Sequence, residues 1–243
     1  MHSSVRLATA SKATWAAVIL FAFVMTPTLA LADGGGNVMP PNSNPHGYSL
    51  TDMAAKLALF NTYGNDMQYC PKTPFQILFQ DPSKLNVVPT ACPVPPATGY
   101  LFTGGNVFSA VAPGTPFFVP LWSVDDSPPV MEPFPLQPSM APYYFFDQSQ
   151  VGARDVEVIV DGKTTKINRS YVAGPVYSAK PLGDGGGHNL IQLGVFLTPM
   201  SKGTHTVTIK GQMAGDLVGL TYPPPDGFAC LQESFTYVVT VSK

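Results

Sequence analysis

The sequence predicts an all-β sandwich, of jelly-roll or immunoglobulin-like arrangement, with one short N-terminal helix. Three observations predict it. After Pro74, about ten short segments alternate apolar and polar residues, or run apolar for a strand's length, between turn-forming residues. Charged residues are only 12% of the chain, while glycine and proline supply 22 and 26 residues. The hydrophobic share of 45% is too high for disorder, so the turn-formers belong to a loop-rich fold. One window alone, 50–61, carries helical spacing instead.

That helix is signalled by Ser49-Leu-Thr-Asp52, which resembles a capping box, followed by Met53, Leu57 and Phe60 with Ala54 and Ala58 beside them. Gly64 would end it. The strands then follow in order. Phe75–Phe79 is the first, and Gly99–Thr103 and Asn106–Val111 come next. Pro113-Gly-Thr turns the chain into Pro116–Val124, an apolar run expected to be covered on both faces. Val156–Val160 leads into Asp161-Gly162, a strong hairpin signal, and out through Lys163–Ile167. Tyr171–Tyr177, Leu190–Leu197, Thr204–Ile209 and Phe235–Val241 complete the set.

Ahead of this domain the chain reads as an export leader. Arg6 and Lys12 precede the apolar run Trp15–Met25, Pro27 breaks it, and Ala30-Leu-Ala32 offers small residues for cleavage after Ala32. The competing reading, a membrane anchor, fails on length, because Ala13–Met25 falls short of the ~20 residues that span a bilayer. The domain organisation expected is therefore a signal peptide over 1–32, a flexible leader over 33–48 and a single sandwich over 49–243. The expected location is secreted or periplasmic, with no stable membrane anchor after cleavage. Loss of Arg6 and Lys12 leaves 11 basic against 15 acidic residues, a net charge of about −4. A mildly acidic chain with no basic cluster offers nothing to nucleic acid.

Three cysteines remain, and export favours one disulfide with one thiol left over. Cys70–Cys92 is the expected pair, because both lie in proline-flanked loops and close a modest ring. Pairing of Cys230 with either is the alternative.

Residues 125–147 interrupt the strand rhythm. Pro128, Pro129, Pro133, Pro135, Pro138 and Pro142 bar a central strand, while Phe134, Tyr143, Tyr144 and Phe145 give the segment apolar bulk. A loop of that length is the expected ligand-facing surface. Tyr143 and Tyr144, with Trp122, are candidates for stacking on a sugar. Core packing is the more ordinary fate of Trp122, which ends the most apolar strand.

The pieces Val111-Ala-Pro-Gly-Thr-Pro-Phe-Phe-Val-Pro120, Val124-Asp-Asp-Ser-Pro-Pro129, Gly183-Asp-Gly-Gly-Gly187 and Gly203-Thr-His-Thr-Val-Thr-Ile209, in that order, resemble a group of secreted bacterial β-sandwich proteins of uncharacterised function. The resemblance covers about residues 75–243. It implies export and a sandwich fold, and it brings no catalytic residues with it.

Candidate chemistry rests on a few polar side chains. Asp125, Asp126, Asp184 and His188 are the clustered oxygen and nitrogen donors, and the Gly185–Gly187 run would let backbone approach an ion. A divalent metal ion is therefore the possible cofactor, Ca²⁺ by carboxylates or a transition metal through His188. The ordinary alternative is that Asp125 and Asp126 bond backbone amides to anchor a loop. His205, alternating with threonines, reads as a satisfied half-buried histidine. There is no G-x-S-x-G, H-E-x-x-H or H-x-H motif. Glu132, Asp147 and Asp126 could supply a glycosidase acid pair, although sequence does not give their separations. The reading is a non-enzymatic binding or structural module with a glycan or protein partner. The alternative is a metal-binding protein or metal-dependent enzyme built on the Asp/His set.

Overall fold

The structure, a computed structural model, describes residues 37–92, 98–128, 130–183, 185–221 and 228–242. The expected export leader at 1–32 and Asp184 lie outside them. Helix α1 (Leu50–Asn61) leads into strands β1 (Gln76–Ile77), β2 (Asn86–Ala91), β3 (Thr98–Val111) and β4 (Phe117–Asp125). Helix α2 (Ala141–Phe146) precedes β5 (Ala153–Val160), β6 (Lys163–Lys166), β7 (Val172–Tyr177), β8 (Asn189–Leu197) and β9 (Gly203–Met213). Helix α3 (Asp216–Thr221) and β10 (Leu231–Val241) follow. The strands form two sheets, β1-β4-β8-β7 and β2-β3-β10-β9-β5-β6, so the fold is an all-β sandwich.

The helix forms where its signals lie. Asp52 N–H donates to Ser49 Oγ at 3.1 Å, and Ser49 N–H donates back to Asp52 Oδ2 at 2.8 Å. This reciprocal cap contributes about 1 kcal/mol. Met53, Ala54, Leu57, Ala58 and Phe60 are buried, and the helix packs on β7 and β8. That contact covers the far side of the four-stranded sheet. It leaves β8 buried from Leu190 to Leu197, and β4 beside it is buried from Phe117 to Trp122 and at Val124.

In the six-stranded sheet β9 and β10 alternate over most of their length instead. Phe235, Tyr237, Val239 and Val241 of β10 point inward with Val207, Ile209 and Met213 of β9. Their outward neighbours include Thr206, Thr208, Lys210, Ser234 and Thr236, with the Thr208 and Thr236 hydroxyls 2.9 Å apart. The Asp161-Gly162 turn closes β5 on β6 as expected, with φ of 48° and 80°, the left-handed pair a two-residue hairpin requires.

Four expectations are corrected. The two strands foreseen at 99–111 are one, β3. Gly104-Gly105 is no turn, since a Cβ on Gly105 would stand 1.7 Å from the Thr236 carbonyl, and the glycine exists for backbone approach. The leader is not loose from residue 37 onward. Val38 bridges Leu197, Met39 N–H donates to Phe196 O at 2.8 Å, and the Tyr171 hydroxyl donates to Met39 O at 3.1 Å. Within 125–147 a short helix, α2, turns Ala141, Tyr144 and Phe145 into the core. The disulfide joins Cys92 to Cys230, not to Cys70, which is a free thiol. The bridge spans 138 positions of sequence, so it restricts the unfolded chain by about 4–5 kcal/mol on chain entropy.

β3 runs parallel to β10, and β1 parallel to β4, while the other pairings are antiparallel. Among the described residues no helix is long and apolar enough to cross a membrane.

Candidate functional site

The polar candidates meet where β4 ends beside the start of β8. Asp126 Oδ1 accepts the backbone N–H of His188 at 2.7 Å and of Asn189 at 2.8 Å, and Oδ2 accepts the Asn189 side-chain amide at 2.7 Å. Ser127 Oγ accepts Gly187 N–H at 3.0 Å, and Asp125 Oδ1 accepts Ser127 N–H at 2.7 Å. Partial burial would raise the Asp126 carboxyl. The Asn189 side chain and the amides of Asn189, His188 and Asp126 itself outweigh that, holding it below the ordinary carboxylate range.

These bonds pin the glycine-rich loop between β7 and β8. Gly187 is required there, because a Cβ would stand 2.4 Å from Asp126 Oδ1. The other side of the loop is tied to α1, with Gly183 N–H donating to Asn61 Oδ1 at 2.9 Å. A loop fastened at both margins presents its side chains in fixed places.

What it presents is aromatic. Tyr177, at the end of β7, is 70% exposed, and its ring stacks on that of His188 with centroids 5.6 Å apart and planes 16° from parallel. The His188 ring is fixed in turn, since Nδ1 lies 2.8 Å from the Ser178 carbonyl and so carries a proton. Lys180, on the same loop, donates to the Tyr63 hydroxyl at 2.9 Å and lies 4.6 Å from that ring's centroid. Tyr63 stacks on Tyr69 at 4.4 Å and 15°, and both rings are exposed. One stacked pair thus flanks the pinned loop, and the Lys180 ammonium ties the second pair to it.

Of the four expected metal ligands, the structure describes Asp125, Asp126 and His188. Asp126 and His188 do come together, but the carboxylate bonds the histidine's backbone and not its ring. Asp125 caps a turn. Among the described residues no three His, Cys, Asp or Glu side chains converge as a metal site, and Asp184 lies outside them. The candidate glycosidase acids are equally local. Glu132 accepts Phe134 N–H at 3.0 Å, and Asp147 accepts Ser149 N–H at 3.0 Å and its hydroxyl at 2.7 Å.

The expected sugar platform is corrected. Trp122 is 1% exposed and stacks on Phe145, while Tyr144 is 2% exposed, with its hydroxyl donating to the Met131 carbonyl. Neither offers a face to a ligand. Only Tyr143 of the three is open, at 40%, with its hydroxyl 3.3 Å from Ser149 Oγ. Tyr63, Tyr69, Tyr177 and Lys180 escaped sequence reasoning, because tyrosines far apart in sequence carry no spacing that joins them. The one available signal was Tyr177, an aromatic ending a strand just before the glycine-rich run.

A second histidine lies elsewhere. His205 Nδ1 is 2.6 Å from Asp161 Oδ2, and Nε2 is 2.8 Å from the Ser201 carbonyl. Asp161 Oδ1 also accepts Thr206 N–H at 2.9 Å. With acceptors at both ring nitrogens the imidazolium is favoured, and the Asp161 hydrogen bond is the largest cause raising the His205 pKa. His205 is thus half-buried and satisfied, as its alternation with threonine suggested. Beside the disulfide lies a cavity of about 210 Å³, whose lining includes Cys92, Ala214, Asp216 and Ala229.

Comparison with protein-family models, with curated proteins and with solved structures finds no match for this chain.

Proposed function

We propose that this chain is an exported, non-enzymatic binding module that takes carbohydrate on the aromatic surface of the β7–β8 loop. The observation that carries the reading is Tyr177, a 70% exposed ring braced flat against a fixed histidine. Leaving such a ring in water exposes apolar area, and orienting it in advance removes much of the entropy cost of stacking. Pyranose C–H faces stack on such rings. The Lys180 ammonium and the backbone groups of the loop supply donors and acceptors for hydroxyls. The stacked Tyr63–Tyr69 pair offers a second ring surface tied to the same loop by Lys180.

Export is supported by the order of basic, apolar and small residues before Asp33 and by the Cys92–Cys230 bridge, a bond that persists in oxidising compartments. The same leader supports placement in a periplasm or outside the cell. The binding reading also fits the acidic residues, whose carboxylates organise turns.

The test is a glycan array followed by titration of the best hit with Tyr177→Ala, Tyr63→Ala and Tyr143→Ala proteins. Loss of one stacking ring should weaken binding about tenfold at Tyr177. Tyr143→Ala should leave affinity unchanged. An array with no hit, or a hit that ignores Tyr177→Ala, would overturn the proposal.

A further inference from the structure

On the inward face of β10, among apolar neighbours, stands a glutamate. Glu233 is in line with Phe235, Tyr237 and Val239, and is 8% exposed. Its ladder neighbours are Gly211 of β9 and Phe102 of β3. From the opposite sheet, Trp122 of β4 reaches across onto Gly211, where a Cβ would stand 2.6 Å from its Cη2. The Trp122 indole N–H lies beside the Glu233 carboxyl and favours its charged form, yet no hydrogen bond of ordinary geometry closes on that nitrogen.

Among the described residues no counter-charge acts on this carboxyl. Gly211 and Phe102 carry no charge, Trp122 offers only a neutral N–H, and β10 itself brings the Tyr237 hydroxyl. That hydroxyl is buried without a partner, and a negative Glu233 would oppose its ionisation too. An ionised carboxylate at 8% exposure would have given up most of its water, a state less favourable than the neutral acid. We infer that Glu233 sits between the sheets as a neutral carboxylic acid, and that its proton is the pin of an alkaline switch at the Trp122 contact. This goes beyond the carbohydrate reading and does not depend on it.

The sign of the linkage follows from the raised carboxyl. In the unfolded chain Glu233 ionises in the ordinary glutamate range, while in the fold, desolvation first of all, it stays protonated well above that range. Its contribution to stability is therefore complete below the ordinary range and is lost as pH rises toward the folded value. Over that window the unfolding constant grows about tenfold per pH unit from this one group.

Two measurements test the switch. Infrared spectroscopy of the whole protein at neutral pH should show the carbonyl band of a protonated carboxyl, absent in Glu233→Gln. Denaturant unfolding from pH 5 upward should find Glu233→Gln more stable than the parent at pH 8, with a pH slope shallower by one proton. Glu233→Leu serves as the second variant should the amide not fold. A parent protein without the band, or a variant that keeps the parent's slope, would overturn the inference. The infrared result on the parent requires no variant to fold.

Discussion

At the end of β4, Asp126 accepts the backbone amides of His188 and Asn189. At the β5–β6 turn, Asp161 accepts the amide of Thr206 and the ring of His205. Both corners are built from an aspartate, a histidine and nearby glycine. At Asp161 both ring nitrogens of the histidine have acceptors, so the ring is used up in joining a hairpin to the 201–205 segment. At Asp126 the carboxylate takes only main-chain and amide donors, leaving the His188 ring to lie flat beneath an open tyrosine. The first corner closes on itself. The second holds a loop still while its rings face water, which is the arrangement a contact surface needs.

The largest expected effect is at the open corner. Asp126→Ala removes three charge-assisted bonds and should destabilise by about 2 kcal/mol, less than their sum because water reaches the site. Glycan affinity should fall with it, since the loop loses its fastening. Equal affinity in a folded Asp126→Ala protein would break the comparison. Asp161→Ala should cost about 1 kcal/mol, with affinity untouched. The double variant should show the sum within about 0.5 kcal/mol, since the two corners share no partner.

Titration sharpens the contrast. The His205 pKa is raised by Asp161, so its contribution is full below the ordinary histidine value and is lost as pH climbs through the folded one. Asp161 itself, raised by desolvation but lowered more by His205 and Thr206, contributes above the ordinary aspartate value and fails as pH falls. The pair should therefore stabilise most between those two values. A melting curve series across pH 3–8 should lose that shoulder in Asp161→Asn, and an unchanged profile would refute the assignment. The smallest expected effect on stability is Tyr177→Ala, within about 0.5 kcal/mol, because an exposed ring contributes little to folding. Calorimetry showing a larger loss would make Tyr177 a structural residue.

Parts of this contrast were legible in advance. Asp125, Asp126 and His188 stood out by residue type, and the fold does gather them. Type could not say that Asp126 would meet the histidine's amide instead of its ring, because sequence names side chains and not which atom faces which. The exposed rings were misplaced for a related reason. Tyr144 sat in the proline-rich segment expected to face a ligand, yet α2 turns it inward, while Trp122, at the end of the most apolar strand, takes the core place that position favoured and fills the space Gly211 leaves.

Local physics was sufficient for the rest. Ser49 and Asp52 specify a helix start within four residues, Asp161-Gly162 specifies a hairpin within two, and the unbroken apolar run of β4 requires cover on both faces. Each of these depends on groups that are neighbours along the chain, or on one segment's exposure, and so can be read from order alone. Tertiary structure decided that Cys92 meets Cys230, that β3 lies parallel to β10, and that Glu233 faces Trp122 across the sheets. Alternation tells which face of a strand is buried, but it is identical for parallel and antiparallel neighbours and silent about what lies across the core. Those choices belong to the packing of two sheets.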